Sequence, residues 1–196
     1  EWGVLERLPC AVKLLPIPKK TMGFLDFPQY ERLLDVAQRR GENVYLMVLL
    51  GGDAGLRLGE IIALEWQDVD LAARRLTVQR SQWRGHVTAP KGGRSRCLPM
   101  TERLTAAFRS VRHLKSERVL CIQGGVPVTR DHVIKAIRSA QRAAHIGHEG
   151  VHILRHTFCS HLAMRGAPAR AIQELAGHAD LTTTQRYMHL SPSATE

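Results

Sequence analysis

Hydrophobic residues recur at helical spacing along most of this chain of 196 residues. The pattern is clear near the start, where apolar side chains three or four positions apart share one helix face: Tyr30, Leu33, Leu34 and Ala37. With Pro28 placed near a helix start, this spacing predicts a helix over residues 26–40. The same period predicts further helices over residues 43–54, 58–65, 102–112, 133–145, 152–165, 168–176 and 182–188. The expected N-caps include Thr101 and either Thr129 or Asp131.

Between residues 76 and 99 the helical period gives way to alternation of apolar and polar residues. Three short strands are predicted, over residues 76–80, 86–89 and 96–99. The dipeptides Arg84-Gly85 and Gly92-Gly93 supply the turns, which puts Lys91 at the tip of the second hairpin. The predicted fold class is therefore mainly α (α+β), a helical domain with one small three-stranded antiparallel sheet.

The first 20 residues differ in composition from the rest of the chain. They contain Pro9, Pro16 and Pro18 followed by Lys19 and Lys20, a pattern typical of a linker. We therefore expect residues 1–20 to be the end of a preceding domain plus a linker, and residues 21–196 to form the main domain. A short disordered tail on a complete protein is the alternative.

Sequence features that mark secreted or membrane proteins were not found. The four cysteines are scattered without a CxxC pair, and no signal peptide or apolar run of membrane-spanning length is present. We expect a cytoplasmic protein that makes no contact with a membrane.

The net charge predicts a polyanionic partner. Lys and Arg total 28 against 18 Asp and Glu, which gives a formal charge of +10 with neutral histidines. Nucleic acid is the usual partner of such a chain. The candidate phosphate contacts are basic residues near the sheet and along one helix, namely Arg84, Arg94, Arg96, Arg130, Lys135, Arg138 and Arg142. An ordinary solvated basic surface is the alternative for either group.

The segment at residues 151–161, VHILRHTFCSH, carries the most specific chemistry. His152 and Arg155 lie three positions apart and so share a helix face, where a guanidinium and an imidazole suit an anionic oxygen. A helix with solvated basic residues is the alternative. His152 and His156 have the spacing of zinc ligands, but neither a Glu after His152 nor a third ligand at suitable spacing accompanies them. We therefore predict no metal and no cofactor.

Five motifs occur in one order along the chain: GLRLGE (55–60), PKGGRSRCLP (90–99), HILRHTF (152–158), ELAGH (174–178) and TTTQRYMH (182–189). Together they resemble the catalytic domain of the tyrosine recombinases, the phage integrase family, from about residue 26 to residue 192. The resemblance implies a catalytic set of six residues, namely Arg57, Lys91, His152, Arg155, His178 and Tyr187. It also implies that Glu60 supports Arg57, whereas His156 is expected to be a packing or supporting residue.

The resemblance implies a chemistry that these residue types can perform. Arg57, Arg155 and His178 would clamp the phosphate, because two guanidiniums offset the charge that builds on its oxygens. Tyr187 would attack the phosphorus with proton transfer through His152, and Lys91 would protonate the departing 5′ oxygen. The product would be a 3′-phosphotyrosyl intermediate, and strand exchange would follow. Taken alone, Lys91 could instead be a solvated loop charge, Glu60 an exposed helix carboxylate and Tyr187 a core aromatic residue.

The resemblance also implies partners. A helical core-binding domain would precede residue 21, and four protomers would act on two DNA duplexes, with an accessory directionality factor in some systems. Two alternatives remain open: relaxation of DNA in the manner of a type IB topoisomerase, and a DNA-binding regulator that makes no use of the catalytic residues.

Overall fold

The computed structural model describes residues 23–90, 92–147 and 150–192. Within these ranges the helices are α1 (Phe27–Arg40), α2 (Glu42–Gly52), α3 (Leu58–Ala63), α4 (Glu102–Ser110), α5 (Arg130–Ala143), α6 (His152–Met164), α7 (Ala169–Ala176) and α8 (Leu181–Gln185). The strands are β1 (Val69–Asp70), β2 (Arg75–Val78), β3 (Ser81–Trp83), β4 (His86–Thr88) and β5 (Arg96–Pro99). The mainly helical fold with a small antiparallel sheet is confirmed. Lys91 and residues 1–20, for which the sequence made specific predictions, lie outside the described residues.

Helix α2 is the centre of the hydrophobic core. It packs against α1, α4, α5 and α6. From Leu46 to Gly52 the helix has no face for solvent, and this part is accordingly apolar all round, with Leu46, Val48, Leu49 and Leu50 fully buried. Each such side chain contributes about 1.5–3 kcal/mol when it is removed from water. The helices that carry the basic motifs, α3 and α6, are thereby fixed against one rigid element.

The predicted helix starts agree with the structure to within one residue, because the caps are local, except that α5 begins at Arg130 rather than at residue 133. Asp26 accepts a hydrogen bond from the Gln29 backbone amide (2.7 Å), and the Gln29 side chain accepts one from the Asp26 amide (3.0 Å), which forms a capping box. Thr101 caps α4, as expected. Of the two candidates for α5, Thr129 is the cap, and its hydroxyl accepts from the amide of His132.

The predicted pairing of the strands is wrong. The three-stranded sheet has the order β1-β2-β5, while β3 and β4 form a separate two-stranded hairpin. Arg80, expected at the end of the first strand, instead bonds through its guanidinium to Asp68 and is ion-paired to Glu65, which turns the chain away from β2. Residues 86–88 therefore pair with residues 81–83, and the segment from residue 89 to residue 95 crosses between two sheets rather than closing a hairpin.

Three helix ends near the motifs differ from the predicted ones, and one of them is the end of α3, which lies at Ala63 rather than at residue 65. Helix α2 ends at Gly52, two residues earlier than expected, and a short corner leads from it to α3. Helix α8 ends at Gln185, so Tyr187 lies just beyond it and leads into a 3-10 turn, Met188–Leu190. No helix in the described ranges is both long enough and apolar enough to span a bilayer.

Gly55 makes the corner before α3 possible. Its φ of +64° is in the left-handed region, and a Cβ added there would lie 2.4 Å from Cδ1 of Phe158. Its carbonyl accepts a hydrogen bond from Arg155 on α6. The absence of a side chain thus allows the corner and α6 to approach closely enough for this bond.

Replacing Gly55 by alanine should destabilise the fold by at least about 2 kcal/mol, because left-handed strain adds to a clash with a buried aromatic ring. The measurement is the free energy of unfolding in urea. Gly166→Ala is the matched control, because Gly166 has a φ of +78° and nothing within 4 Å of an added Cβ. An equal loss in both variants would show that the contact with Phe158 is unimportant.

Candidate active site

Arg57 lies in the corner between α2 and α3, directly before the first residue of α3. Glu60, the third residue of α3, accepts from the backbone amide of Arg57 (2.8 Å) and from its Nη1 (2.9 Å). The Nη2 atom donates to the carbonyl of Gly177 at the end of α7 (2.8 Å). The guanidinium is therefore held from two sides, and its remaining N–H groups are available to a ligand.

The carboxylate of Glu60 is completely buried and is shared by two arginines. Arg96 on β5 forks onto it, with Nη1–Oε1 at 3.1 Å and Nη2–Oε2 at 2.7 Å. Burial raises the pKa of Glu60, but the hydrogen bonds and charge of Arg96, and then those of Arg57, lower the pKa below its ordinary value. The carboxylate is thus a fixed negative charge between two guanidiniums.

The structure places Arg96 differently from the expectation that it contacts DNA. Its side chain is only 9% exposed, and besides its fork onto Glu60 it donates from Nε to the carbonyl of Leu175 (3.0 Å). A guanidinium that is bonded to groups inside the protein holds those groups in place and does not bind a phosphate of DNA. Alternation along the strand could not reveal this, because the partner carboxylate is 36 positions away in the sequence.

Arg155 is buried in α6, and the residue is 4% exposed. Its Nη1 donates to the carbonyl of Gly55, but its Nη2 is buried and has no hydrogen-bond partner. Burial, followed by the nearby charge of Arg57, lowers the pKa of Arg155 to about 10. A buried cationic donor without a partner is unfavourable unless something else supplies the acceptor. An anionic oxygen beside Arg57 would satisfy that requirement.

The two histidines of the predicted catalytic set, His152 and His178, are held in the neutral form. His178 has its Nδ1 atom 2.8 Å from the hydroxyl of buried Thr184, and burial, then Arg155 and Arg57, lower the pKa of His178 to about 4. Burial followed by the same two arginines lowers the pKa of His152 as well. In the tautomer of His178 whose Nδ1 accepts from the Thr184 hydroxyl, the proton is on Nε2, where it can be donated to a ligand.

Tyr187 is only 3% exposed and lies among these groups. Its ring stacks on that of His178, with centroids 6.2 Å apart and an angle of 3° between the planes. Its hydroxyl is 2.7 Å from Nδ1 of His156, and the thiol of Cys159 is a second neighbour. Burial, then Cys159, raises the pKa of Tyr187 above its ordinary value. In this arrangement the phenol is stored in its protonated form.

Three residues surround the hydroxyl and ring of Tyr187, and the sequence analysis singled out one of them. His156, expected to be a packing or supporting residue, contacts the phenol. Cys159 lies four positions after Arg155 on the same helix face, so its spacing could have identified it. Thr184 gave no such signal, because its role depends on where the chain turns after α7.

The remaining basic candidates lie around the site. Arg130 and Arg138 line a groove of about 610 Å³ together with Arg57 and His152. Arg94 lines a second groove, of about 420 Å³, with Gly92 and His178. The other predicted contacts are at the surface, on the β3–β4 turn and along α5, namely Arg84, Lys135 and Arg142. Within the described ranges no three His, Cys, Asp or Glu side chains are placed to hold a metal ion.

Comparison with known proteins identifies the family. Residues 23–194 match the phage integrase family. The chain belongs to this family. Its relatives include tyrosine recombinase XerC of Xanthomonas campestris pv. campestris (strain B100), 32% identical over 200 residues, and XerC of Xylella fastidiosa (strain 9a5c), 37% identical over 142 residues. These alignments cover 96% and 70% of this chain and 58% and 45% of the relatives, so the chain spans about half the length of the XerC proteins that it matches.

Solved structures of family members have the same fold. XerA recombinase superposes with a TM-score of 0.75 at 27% identity, covering 91% of this chain and 64% of XerA. The Tn1549 transposon integrase, in complex with a circular intermediate DNA, gives a TM-score of 0.74 at 25% identity, covering 88% of this chain and 63% of the integrase. These likenesses confirm the predicted fold class, that of a tyrosine recombinase catalytic domain, for the described residues.

The lowered pKa of His178 predicts a pH dependence of stability. Below about pH 6.5 the unfolded chain binds a proton that the folded protein does not accept until about pH 4, so stability should fall as the pH is lowered through this window. His178→Gln should reduce the difference in the free energy of unfolding between pH 7.5 and pH 5, whereas His189→Gln on the surface should leave that difference unchanged. Urea unfolding of the wild type and the two variants at both pH values measures it. The same difference in all three proteins would contradict the prediction.

Proposed function

We propose that this chain is the catalytic part of a site-specific DNA recombinase that cleaves and rejoins DNA through Tyr187. The observation that carries the proposal is the unpartnered, buried Nη2 of Arg155, which lies near Arg57 and His178. A DNA phosphodiester is the anion that suits this site. The proposal is supported by relatives named tyrosine recombinase XerC and by the Tn1549 integrase, whose structure contains DNA.

The proposed reaction begins with the phosphate. Arg57 and Arg155 hold the non-bridging oxygens, and Nε2 of His178 donates a further hydrogen bond. These donors are fixed by Glu60, by two backbone carbonyls and by Thr184, so they need little rearrangement when negative charge develops. Because the phosphodiester supplies the missing acceptor, its binding also removes the cost of the unpartnered guanidinium nitrogen.

The covalent step exchanges one phosphorus–oxygen bond for another. The oxygen of Tyr187 forms a bond to phosphorus, and the bond to the 5′ oxygen breaks. The phenolic proton passes to a neutral histidine. His156 is the ring that already contacts the phenol, and His152 is the one expected from the family pattern. The attack joins Tyr187 to the 3′-phosphate, and the 5′-hydroxyl of the same or another strand reverses it without ATP.

The phenol has to leave its stored position before it can react. It lies in a short segment after α8, bonded to His156, and burial favours its protonated form. Movement toward the phosphate brings it closer to the two guanidiniums, which favour the phenolate. Binding of DNA would therefore both position and activate the nucleophile.

Lys91 is the proposed acid that protonates the 5′ oxygen. It lies outside the described residues, and its assignment rests on the family motif PKGGRSRCLP. Its neighbour Gly92 lines the groove that also contains His178, which supports a place for this loop beside the phosphate.

The wider assembly is also proposed from the family pattern. Double-stranded DNA is the partner, four protomers act on two duplexes, and residues 1–20 lead from a core-binding domain. An accessory directionality factor would bias the reaction, and the cytoplasm is the proposed location. The excess of basic side chains makes affinity for DNA decrease as the salt concentration rises.

Tyr187→Phe should abolish a covalent adduct with DNA, because it removes the attacking oxygen and leaves the phosphate clamp in place. The measurement is an SDS-resistant, protease-sensitive complex formed on a nicked suicide duplex that carries the protein's own recombination site. DNA binding should remain within about twofold, since the wild-type phenol is directed into the protein.

Tyr45→Phe, which removes a hydroxyl outside the site, is the matched control and should form the adduct normally. An adduct that persists in Tyr187→Phe would identify a different nucleophile. Loss of the wild-type adduct when EDTA is added would show that the reaction requires a metal and would contradict the mechanism. Products that join two different duplexes would indicate recombination, whereas relaxation alone would indicate a topoisomerase. A wild-type protein that binds the site and forms no adduct would indicate a regulator.

Lys91→Ala should slow cleavage of ordinary DNA by about 10²–10⁴-fold, the usual contribution of a general acid. The loss should shrink to a few-fold on a duplex with sulfur at the bridging 5′ position, because a thiolate leaves without protonation. Single-turnover rates on the two duplexes measure this difference. Lys135→Ala on α5 is the control and should affect both duplexes equally. An equal loss in Lys91→Ala would mean that Lys91 binds DNA but transfers no proton.

A further inference from the structure

The β3–β4 hairpin ends in a turn that is costly for its sequence. Arg84 and Gly85 both have positive φ, +47° and +85°, which is the geometry of a tight two-residue turn. Such turns favour Asn-Gly, and a side chain such as that of Arg84 costs about 1–2 kcal/mol in the left-handed region. Strain of this kind in a folded protein indicates a role for the residue that carries it.

The residue before this turn is an exposed tryptophan with two cations near its ring. Trp83 is 60% exposed. The guanidinium of Arg84 lies 5.8 Å from the centroid of its ring, and that of Arg130, the first residue of α5, lies 5.5 Å from it. Two cations order the indole and still leave most of it open to solvent. The cluster of Trp83, Arg84 and Arg130 is called the indole platform below.

The indole platform and the proposed phosphate site share one groove. The groove has a volume of about 610 Å³ and runs between α3, the β3–β4 hairpin and α5. Arg57 and His152 line it together with Trp83, Arg130 and Arg138. Among the described residues that line the groove there is no carboxylate. A strand whose phosphate is held by Arg57 would therefore pass close to the indole.

We propose that the indole platform binds a nucleobase that has left the duplex next to the cleaved phosphate. The inference rests on the proposed function, because strand exchange requires the nucleotides behind the freed 5′-hydroxyl to leave their complement. Unstacking a base costs a few kcal/mol, and stacking on an aromatic side chain recovers about 1–3 kcal/mol per base whatever the sequence. Arg84 and Arg130 suit the phosphates on either side of that base.

The platform favours nucleic acid over a protein partner for a reason of charge. Two guanidiniums at the indole and a third, Arg138, in the groove match a phosphate backbone. A second copy of this chain would bring its own positive charge, since the net charge is +10. Contact between two such surfaces would be repulsive at low salt.

The test compares Trp83→Ala with Trp83→Phe, which keeps an aromatic face. The probes are an oligothymidine and two duplexes of equal length, one fully paired and one with a two-nucleotide mismatch. Wild-type protein should prefer the mismatched duplex, and Trp83→Ala should lose that preference and bind oligothymidine about tenfold more weakly. Trp83→Phe should retain most of the preference for the mismatched duplex and most of the affinity for oligothymidine. Fluorescence anisotropy measures the binding, and circular dichroism verifies the fold.

A spectroscopic measurement tests the stacking itself. Oligothymidine should quench the tryptophan emission of the wild-type protein, and the quenching should be smaller in Trp83→Phe at equal saturation. Leu114→Ala, at a residue that is 98% exposed, is the control and should behave as wild type.

The outcomes separate this inference from the proposed function. Unchanged binding of oligothymidine and of the mismatched duplex in Trp83→Ala would overturn the platform, even if the adduct at Tyr187 forms. If base binding depends on Trp83 but the protein forms no adduct with DNA, the inference would stand and the proposed reaction would be contradicted. Weaker self-association in Trp83→Ala, with DNA binding unchanged, would assign the surface to a protein contact and also overturn the inference.

Discussion

The buried carboxylate of Glu60 is the interaction on which the site depends. It is the one acid in direct contact with Arg57 and Arg96 among the described residues, and it joins the corner before α3 to strand β5. Arg57 and Arg96 also donate to carbonyls at the end of α7. Three elements from distant parts of the chain are therefore held together through one charge. Removing that charge would leave two partly buried guanidiniums to repel each other, which is far more costly than the loss of a surface ion pair.

The same arrangement leaves the site with positive charge in excess. Glu60 accepts from Arg57 and Arg96, whereas Arg155 donates to the carbonyl of Gly55. Burial, followed by the charge of neighbouring arginines, lowers the pKa values of Arg155 and His178. A protein optimised only for stability would not bury a cation in this way. The unpartnered nitrogen of Arg155 is held in place by the fold around it, and an acceptor that enters the site would relieve its cost. In the proposed function that acceptor is a phosphate oxygen, so the local cost would become affinity for the phosphate.

Local signals in the sequence predicted the parts of the structure that are decided locally. The cap at Asp26 and the turn at Arg84-Gly85 depend on residues within three positions, and both are present. Strand pairing depends on distant partners. Arg80 meets Asp68 and Glu65, so the alternation that ran through it misassigned the sheet. The motifs indicated which residues have the chemistry, but they could not show that Arg96 is engaged inside the protein.

The structure divides the chemistry between rigid and less rigid parts. The proposed phosphate-binding groups Arg57 and Arg155 are fixed by the helical core, because α3 and α6 pack against α2. The proposed nucleophile, Tyr187, follows the five-residue helix α8 and precedes a single 3-10 turn. Short peripheral segments open at lower free energy than core helices. In the proposed function, Tyr187 would leave the rings of His178 and His156 without disturbing the groups that hold the phosphate, and a phenol held in the protein would attack no phosphate before DNA binds. The place of Tyr187 in a short segment beside a rigid anion site would thus confine the reaction to bound DNA.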